Sequence, residues 1–223
     1  MSDWAAWHDG YDDPSSPLAA RLQRVREHLR RAIDQAPAGP VRLVSLCAGQ
    51  GRDVIGVLAR HPRRPDVSAV LVESDARNAE RARRGAAEAG LPQLEVRQAD
   101  ASRVASFADA LPAGILLLCG IFGNVSAADI RRTVEAAPAL CAPGATVIWT
   151  RHRRAPDLTP DVRAWFGASG FDEVAFDALE TSTLVGVGVS RLRRGTAGGL
   201  PVGPLFTFGG WCGHLRSDWL TPR

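Results

Sequence analysis

Apolar and polar positions divide the chain into two kinds of alternating segment. Short apolar runs of strand length are followed by stretches whose apolar residues recur every three or four positions, which is typical of amphipathic helices. Five apolar runs predict the first five strands, at residues 41–47, 68–73, 94–98, 114–119 and 146–150. Strands that alternate with helices predict right-handed βαβ crossovers and a parallel sheet with helices on both faces.

Helical periodicity occurs before the first strand and between the later ones. It predicts helices at residues 17–35, 53–60, 76–89, 102–110 and 127–137. On the first of these, the apolar stripe leaves His28 on the exposed side.

The pattern changes after the fifth strand. A helix at 161–168 is followed by two successive strands, 171–176 and 183–192, with no helix between them. Two such strands pair with one of them reversed. The predicted fold class is therefore α/β, with a doubly wound seven-stranded sheet that is mostly parallel and ends in an antiparallel hairpin.

The same pattern predicts three parts of the chain. Residues 1–40 form an N-terminal segment and a helix, residues 41–192 form the sheet domain, and residues 193–223 form a Gly/Pro-rich tail that packs on the domain. The N-terminal segment contains two tryptophans and the only tyrosine of the chain, Tyr11. It is predicted either to close over a pocket or to lie as a hydrophobic strap on the flank of the sheet; both options remain open.

Composition narrows the function classes. The 27 basic residues are all arginine, their clusters are pairs scattered along the 223 residues, and the net charge is +3, so an extended nucleic-acid surface is disfavoured. The four cysteines show no metal-ligand or disulfide spacing, and no metal site is expected. Neither a membrane span nor a secretion signal is recognisable, which predicts a cytoplasmic protein.

The most informative segment is the end of the first strand, where a Gly49-x-Gly51 turn leads directly into a helix. Glycines allow a tight turn and the close approach of a ligand, and the helix N-terminus favours a polar or anionic group. The second strand ends in Glu73, whose carboxylate can accept hydrogen bonds from two ribose hydroxyls. Asp75 is expected to cap the next helix. Asp100, after the third strand, can accept from an adenine amino group, cap a helix at residue 102, or do both.

A nicotinamide-dependent oxidoreductase of Rossmann type would share Gly49, Gly51 and Glu73. It would usually have a third glycine three residues after the second, where this chain has Val54. An antiparallel end to the sheet also fits that class less well. An NAD(P)-dependent oxidoreductase is therefore the alternative within this fold.

In this order and spacing, five segments resemble the class I S-adenosylmethionine-dependent methyltransferases, which have a Rossmann-like fold. They are residues 46–53 (LCAGQGRD), 72–91, 98–101, 142–145 and 168–171. The resemblance covers residues 41–192. Two departures are Ser45, where many relatives carry an acid, and Ala48, expected to stand for the first glycine of the usual triplet.

The resemblance implies cofactor contacts at the ends of four strands. The implied residues are Ala48, Gly49, Gln50 and Gly51 after the first strand, Glu73 and Ser74 after the second, Asp100 and Ala101 after the third, and Cys119 and Gly120 after the fourth.

Candidate residues for the methyl acceptor lie near the same edge. His152, after the fifth strand, and His8 are candidate bases, because an imidazole can take a proton near neutral pH. Trp7, Tyr11 and Phe122 are candidate walls of the substrate pocket.

We therefore expect transfer of a methyl group from S-adenosyl-L-methionine to an oxygen or nitrogen atom of a small molecule by in-line displacement, with S-adenosyl-L-homocysteine as product. Besides the oxidoreductase, the alternatives are an RNA-binding protein or RNA methyltransferase, and a methyltransferase fold that binds cofactor without transferring methyl. The oligomeric state is left open, a homodimer included.

Overall fold

A single seven-stranded sheet organises the protein. The computed structural model describes residues 8–13, 15–180, 184–195 and 199–208, without the side chains of His8 and Asp9. The strands are β1 (Val41–Leu46), β2 (Val67–Glu73), β3 (Leu94–Gln98), β4 (Ala113–Leu118), β5 (Cys141–His152), β6 (Phe171–Leu179) and β7 (Val185–Leu192).

The strand order confirms the predicted fold class. It is β3-β2-β1-β4-β5-β7-β6, with β1 to β5 parallel and β7 antiparallel to both of its neighbours. The chain runs outward from β1 to β3 and then returns to β4 on the other side of β1. In open α/β sheets this reversal opens a crevice beyond the carboxyl ends of the strands, where ligands bind.

Five α-helices cover the two faces of the sheet in the described part of the chain. They are α1 (Pro17–Gln35), α2 (Arg52–Leu58), α3 (Ala76–Glu88), α4 (Ala127–Leu140) and α5 (Thr159–Ala168). The first three pack into one apolar cluster and the last two into another. Leu29 and Ile33 of α1 are fully buried, so the helix that precedes the sheet belongs to the core.

The exposed position predicted for His28 is wrong. The side chain is only 5% exposed, and its Nε2 contacts the Asp177 carboxylate of β6. The apolar stripe of α1 did not reveal this contact because it depends on a strand that lies 149 residues later in the chain.

The helix predicted at 102–110 is also wrong, since the structure has two short 3-10 turns there, Val104–Ser106 and Ala108–Ala110. The Asp100 carboxylate accepts from the N–H of Ser102 (2.9 Å), and the Ser106 hydroxyl donates to the Asp100 carbonyl (2.8 Å). These local side-chain bonds give the backbone an alternative to helical pairing.

Residues 199–208 of the tail fill space beside these turns. Leu205 donates its N–H to the Ser102 carbonyl (2.8 Å), and its own carbonyl accepts from the Thr133 hydroxyl of α4 (2.9 Å). Phe206 is fully buried, and Phe208 forms an antiparallel bridge with Val125, in the loop after β4. The tail thus joins two loops at the ligand-binding edge of the sheet.

None of the helices in the described ranges combines the length and apolar character needed to cross a membrane.

A glycine in β7 makes room for the largest buried side chain. Gly188 pairs with Trp149 of β5, and a Cβ atom on Gly188 would lie 2.1 Å from Trp149 Cε2. We expect Gly188→Ala to lower the free energy of unfolding by about 1–3 kcal/mol, because overpacking forces the neighbours to move. Chemical denaturation measures the change.

The matched control is Gly167→Ala, on the exposed side of α5, where a Cβ meets no atom within 4 Å. It should raise stability by about 0.5–1 kcal/mol, the usual gain from replacing a helical glycine. Equal effects at the two positions would contradict the packing described around Trp149.

Candidate functional site

The loop after β1 is built from three left-handed residues at alternate positions. Cys47, Gly49 and Gly51 have φ angles of 53°, 56° and 66°. Among the described residues, Cys47 is the only non-glycine with positive φ. The position of the first glycine of the expected triplet is therefore Cys47, and its assignment to Ala48 is wrong by one residue. A left-handed non-glycine costs roughly 1–2 kcal/mol, so this loop stores strain next to the crevice.

Glu73 closes that loop against the neighbouring strand. One carboxylate oxygen accepts from the Gly49 N–H (2.7 Å) and the other from the Asp75 N–H (2.7 Å). The side chain is only 8% exposed, and burial raises its pKa while the two backbone hydrogen bonds oppose that rise. Each carboxylate oxygen has a second lone pair, so the group can still accept from a ligand. Ser74, which follows, is exposed.

Asp75 caps α3, as predicted, by accepting from the N–H groups of Arg77 (2.9 Å) and Asn78 (3.0 Å).

The Gln50 side chain also contacts α3. It is buried, donates to Asn78 Oδ1 (3.3 Å) and accepts from Arg52 Nε (3.0 Å). The Gln50 side chain therefore ties the loop to α3 and α2. Of this residue, the backbone is the part left for the expected contact with the cofactor.

Asp100 lies at the end of β3 beside a cavity of about 280 Å³. Its carboxylate is 56% exposed, although one oxygen accepts from Ser102 and the other lies 3.4 Å from Arg103 Nε. Ala101 is buried beneath it. The far wall of the cavity comes from the tail, including Phe206 and Phe208. This contribution was not predicted, because the sequence of the tail gives no indication of where it packs.

The N-terminal segment reaches the start of α2. Arg52 forms two bonds to the Asp12 carboxylate (2.5 and 3.0 Å), and Arg21 donates to the Tyr11 hydroxyl. Burial raises the pKa of Tyr11, while the charge and the hydrogen bond of Arg21 oppose that rise. Trp7 and the His8 side chain, two other predicted site groups, lie outside the described residues.

The loop after β4 is held by polar contacts. Gly120 donates its N–H to the Thr150 hydroxyl (3.0 Å), and its carbonyl accepts from the Asn124 amide (2.7 Å). Burial raises the pKa of the Cys119 thiol. The Phe122 ring is fully buried against Trp149, with ring centroids 6.1 Å apart. In this structure the Phe122 ring therefore belongs to the core and does not face an open pocket.

His152 ends β5 beside this loop. A Cβ on Gly123 would lie 3.4 Å from its Cδ2, so the imidazole rests on the loop backbone. Burial lowers its pKa, and the charges of Arg151 and Arg154 lower it further, against an opposing effect of Asp157. A lowered pKa keeps the imidazole neutral at pH 7, the form that can accept a proton.

Arg151 was not among the predicted site residues. It is only 7% exposed, and its Nη1 donates to the Phe122 carbonyl. The sequence feature that could have indicated Arg151 is a charged residue at the end of an otherwise apolar strand.

In the described part of the chain, no group of three or more His, Cys, Asp or Glu side chains is placed to hold a metal ion.

Comparison with known proteins identifies the family. A family model described as "Putative methyltransferase" matches residues 17–165. The chain belongs to this methyltransferase family, and its fold is the class I, Rossmann-like fold of S-adenosylmethionine-dependent methyltransferases. A search of curated proteins gives no significant match.

Solved structures show the same fold at low identity. An O-methyltransferase family protein from Burkholderia thailandensis has a TM-score of 0.67 at 16% identity, and the match covers 86% of this chain and 60% of that one. Magnesium protoporphyrin IX methyltransferase from Synechocystis PCC 6803, with bound S-adenosylmethionine, has a TM-score of 0.64 at 11% identity and coverages of 86% and 92%.

A third structure, from Streptococcus pneumoniae, is described as a "putative tRNA (m1A22) methyltransferase" in complex with S-adenosyl-L-methionine. Its TM-score is 0.55 at 17% identity, with coverages of 80% and 75%. The acceptors named for the last two proteins, magnesium protoporphyrin IX and tRNA, differ, so the shared fold does not identify the acceptor of this chain.

Burial of the thiols generates a first prediction for this site. Burial raises the pKa of Cys47 and Cys119, and that of Cys141 to about 12. In a Cys212→Ser variant we expect the folded protein to react with a thiol reagent at pH 8 at least about tenfold more slowly than in urea, because the thiolate is the reactive form. One rapidly reacting thiol in the folded protein would contradict the raised pKa of these three cysteines.

Proposed function

We propose that the protein transfers a methyl group from S-adenosyl-L-methionine to an oxygen or nitrogen atom of a small molecule by in-line displacement. The observation that carries the proposal is Glu73. A carboxylate that is 8% exposed is held at the end of β2 by two backbone N–H groups, beside a left-handed glycine loop. The family match over residues 17–165 supports the same conclusion.

The groups at these strand ends fit an adenosine that carries a methionine side chain. Glu73 has free acceptor capacity for two ribose hydroxyls, and Asp100 presents an exposed carboxylate for the adenine amino group. Ala48, Gly49, Gln50 and Gly51 would approach the methionine portion through their backbone, with Ser74, Ala101, Cys119 and Gly120 bordering the rest. A Cβ on Gly51 would lie 2.7 Å from Leu71 Cδ2, so a larger residue would disturb this loop.

When bound, S-adenosylmethionine supplies an electrophilic methyl group on a sulfonium. The protein's part is to hold the acceptor in line with that methyl group, because positioning can contribute up to roughly 7–11 kcal/mol. The loop at Cys119–Gly120 and the N-terminal segment at Tyr11 would border the reacting atoms and exclude water. His152 would take the proton of an attacking hydroxyl or amine. His8 remains a second proposed base.

The proposed location is the cytoplasm. Cys47, Cys119 and Cys141 are free thiols, which is typical of a reducing compartment. The oligomeric state is not assigned.

Substitution of Glu73 tests the cofactor site. Glu73→Gln keeps an acceptor oxygen but removes the charge, so we expect S-adenosylhomocysteine to bind about 10–100-fold more weakly, the usual effect of losing charge-assisted hydrogen bonds. Isothermal titration calorimetry measures the dissociation constant. Glu80→Gln, on the exposed side of α3, is the matched control and should bind as the wild type does.

NADH is titrated into the same samples. Binding of NADH without binding of S-adenosylhomocysteine would overturn the proposal in favour of an oxidoreductase. Unchanged affinity for S-adenosylhomocysteine in Glu73→Gln would show that the cofactor contacts are placed elsewhere.

The pKa of His152 tests its role as a base. Because burial and two arginines lower that pKa, we expect the imidazole to titrate below the ordinary value of 6.5. An NMR titration, with the signal assigned by its loss in His152→Asn, measures this pKa. Arg154→Gln should raise it, because a neighbouring positive charge is removed. A wild-type pKa above 6.5 would mean that His152 is substantially protonated near neutrality and poorly suited to act as a base.

A further inference from the structure

The end of β5 carries a local excess of positive charge. Residues 151–154 read Arg-His-Arg-Arg, and the Asp157 carboxylate acts on Arg151, His152 and Arg153. That carboxylate already accepts from the N–H (2.9 Å) and hydroxyl (2.7 Å) of Thr159, and it lies 3.5 Å from Arg153 Nε. The guanidinium groups of Arg151 and Arg153 thus share this single, partly occupied carboxylate.

Several arginines elsewhere on the surface have carboxylates of their own. Examples are Arg97 with Glu95 and Asp109, Arg131 with Glu135, Arg163 with Glu173, and Arg193 with Asp172. At the end of β5, by contrast, Arg151 and Arg153 share the carboxylate of Asp157.

Two guanidinium nitrogens of this cluster are buried without an acceptor. Arg151 is 7% exposed, and its Nη1 donates to the Phe122 carbonyl, but its Nε has no hydrogen-bond partner among the described residues. The same is true of Arg153 Nη1. Buried donors that lack a partner destabilise a fold, and more so when they are charged. Such groups are expected where a ligand supplies the missing acceptors.

In the strand order, Glu73 at the end of β2 and this cluster at the end of β5 lie on opposite sides of the crevice. Arg151 contacts the loop after β4, and His152 between the two arginines rests on the same loop. We propose that Arg151 and Arg153 bind an anionic group, a carboxylate or a phosphate, of the methyl acceptor. This inference rests on the proposed function, and it narrows the acceptor to a negatively charged small molecule.

Burial favours a compact anion over a nucleic acid. A phosphate backbone is usually neutralised by several exposed arginines along a surface, whereas Arg151 is nine-tenths buried. An anion held there would also fix the orientation of the acceptor, because the planar guanidinium group can bind a carboxylate or phosphate through two hydrogen bonds.

The test titrates sodium benzoate and inorganic phosphate into the full-length protein by calorimetry at constant ionic strength, with and without S-adenosylhomocysteine. We expect at least one of the two anions to bind the wild type, and the better one identifies the group as carboxylate or phosphate. Arg153→Gln should weaken that binding by about tenfold or more. Arg153 is 26% exposed, so this variant should still fold.

Two further variants make the result decisive. Arg131→Gln removes an exposed, paired arginine from α4 and should leave anion binding unchanged. Arg151→Lys keeps the charge but loses the planar group, and should weaken binding while circular dichroism remains that of the wild type. Each variant is also titrated with S-adenosylhomocysteine, whose affinity should not change.

Three results would overturn the inference. The first is that neither anion binds the wild type. The second is that Arg153→Gln binds the anion as tightly as the wild type does. The third is that a single-stranded RNA oligonucleotide displaces the anion with steep salt dependence, which would indicate a nucleic-acid acceptor. Failure of the proposed function is recognised separately. A protein that binds the anion but not S-adenosylhomocysteine would support the anion site and contradict the proposed cofactor.

Discussion

The bonds from Glu73 to the N–H groups of Gly49 and Asp75 organise the ligand-binding edge of this protein. They join the loop after β1 to the turn that opens α3, each at 2.7 Å. Without this carboxylate the left-handed loop at Cys47, Gly49 and Gly51 would lose a partner from the neighbouring strand. The same group keeps acceptor capacity toward the crevice. The interaction that fixes the scaffold is therefore also the one that presents a charged acceptor to a ligand.

Charge is distributed unevenly across the crevice. Glu73 and Asp100 stand at the ends of β2 and β3, on the side proposed for the cofactor. Arg151 and Arg153 stand at the end of β5, on the side proposed for the acceptor. A donor that carries ribose hydroxyls, an adenine amino group and a sulfonium matches carboxylates, whereas an anionic acceptor matches guanidinium groups. The arrangement would orient both partners before any reacting atoms meet.

The sequence predicted those features that depend on local pattern. Strand–helix alternation indicated the topology, the Gly49-x-Gly51 turn and Glu73 indicated the crevice, and Asp75 was recognised as a cap because capping involves neighbouring residues. Features that depend on distant contacts were missed. The burial of His28 requires Asp177, and the wall at Phe206 requires a tail that follows the last strand. Cys47 was not identified as the left-handed residue because a non-glycine rarely adopts that conformation.

The most direct test of this account is a crystal structure of the protein with S-adenosylhomocysteine. The account predicts both ribose hydroxyls within hydrogen-bonding distance of the Glu73 carboxylate, the adenine amino group near Asp100, and the sulfur facing Cys119 and Gly120. Ligand bound at another place on the sheet, or a ribose that makes no contact with Glu73, would contradict it.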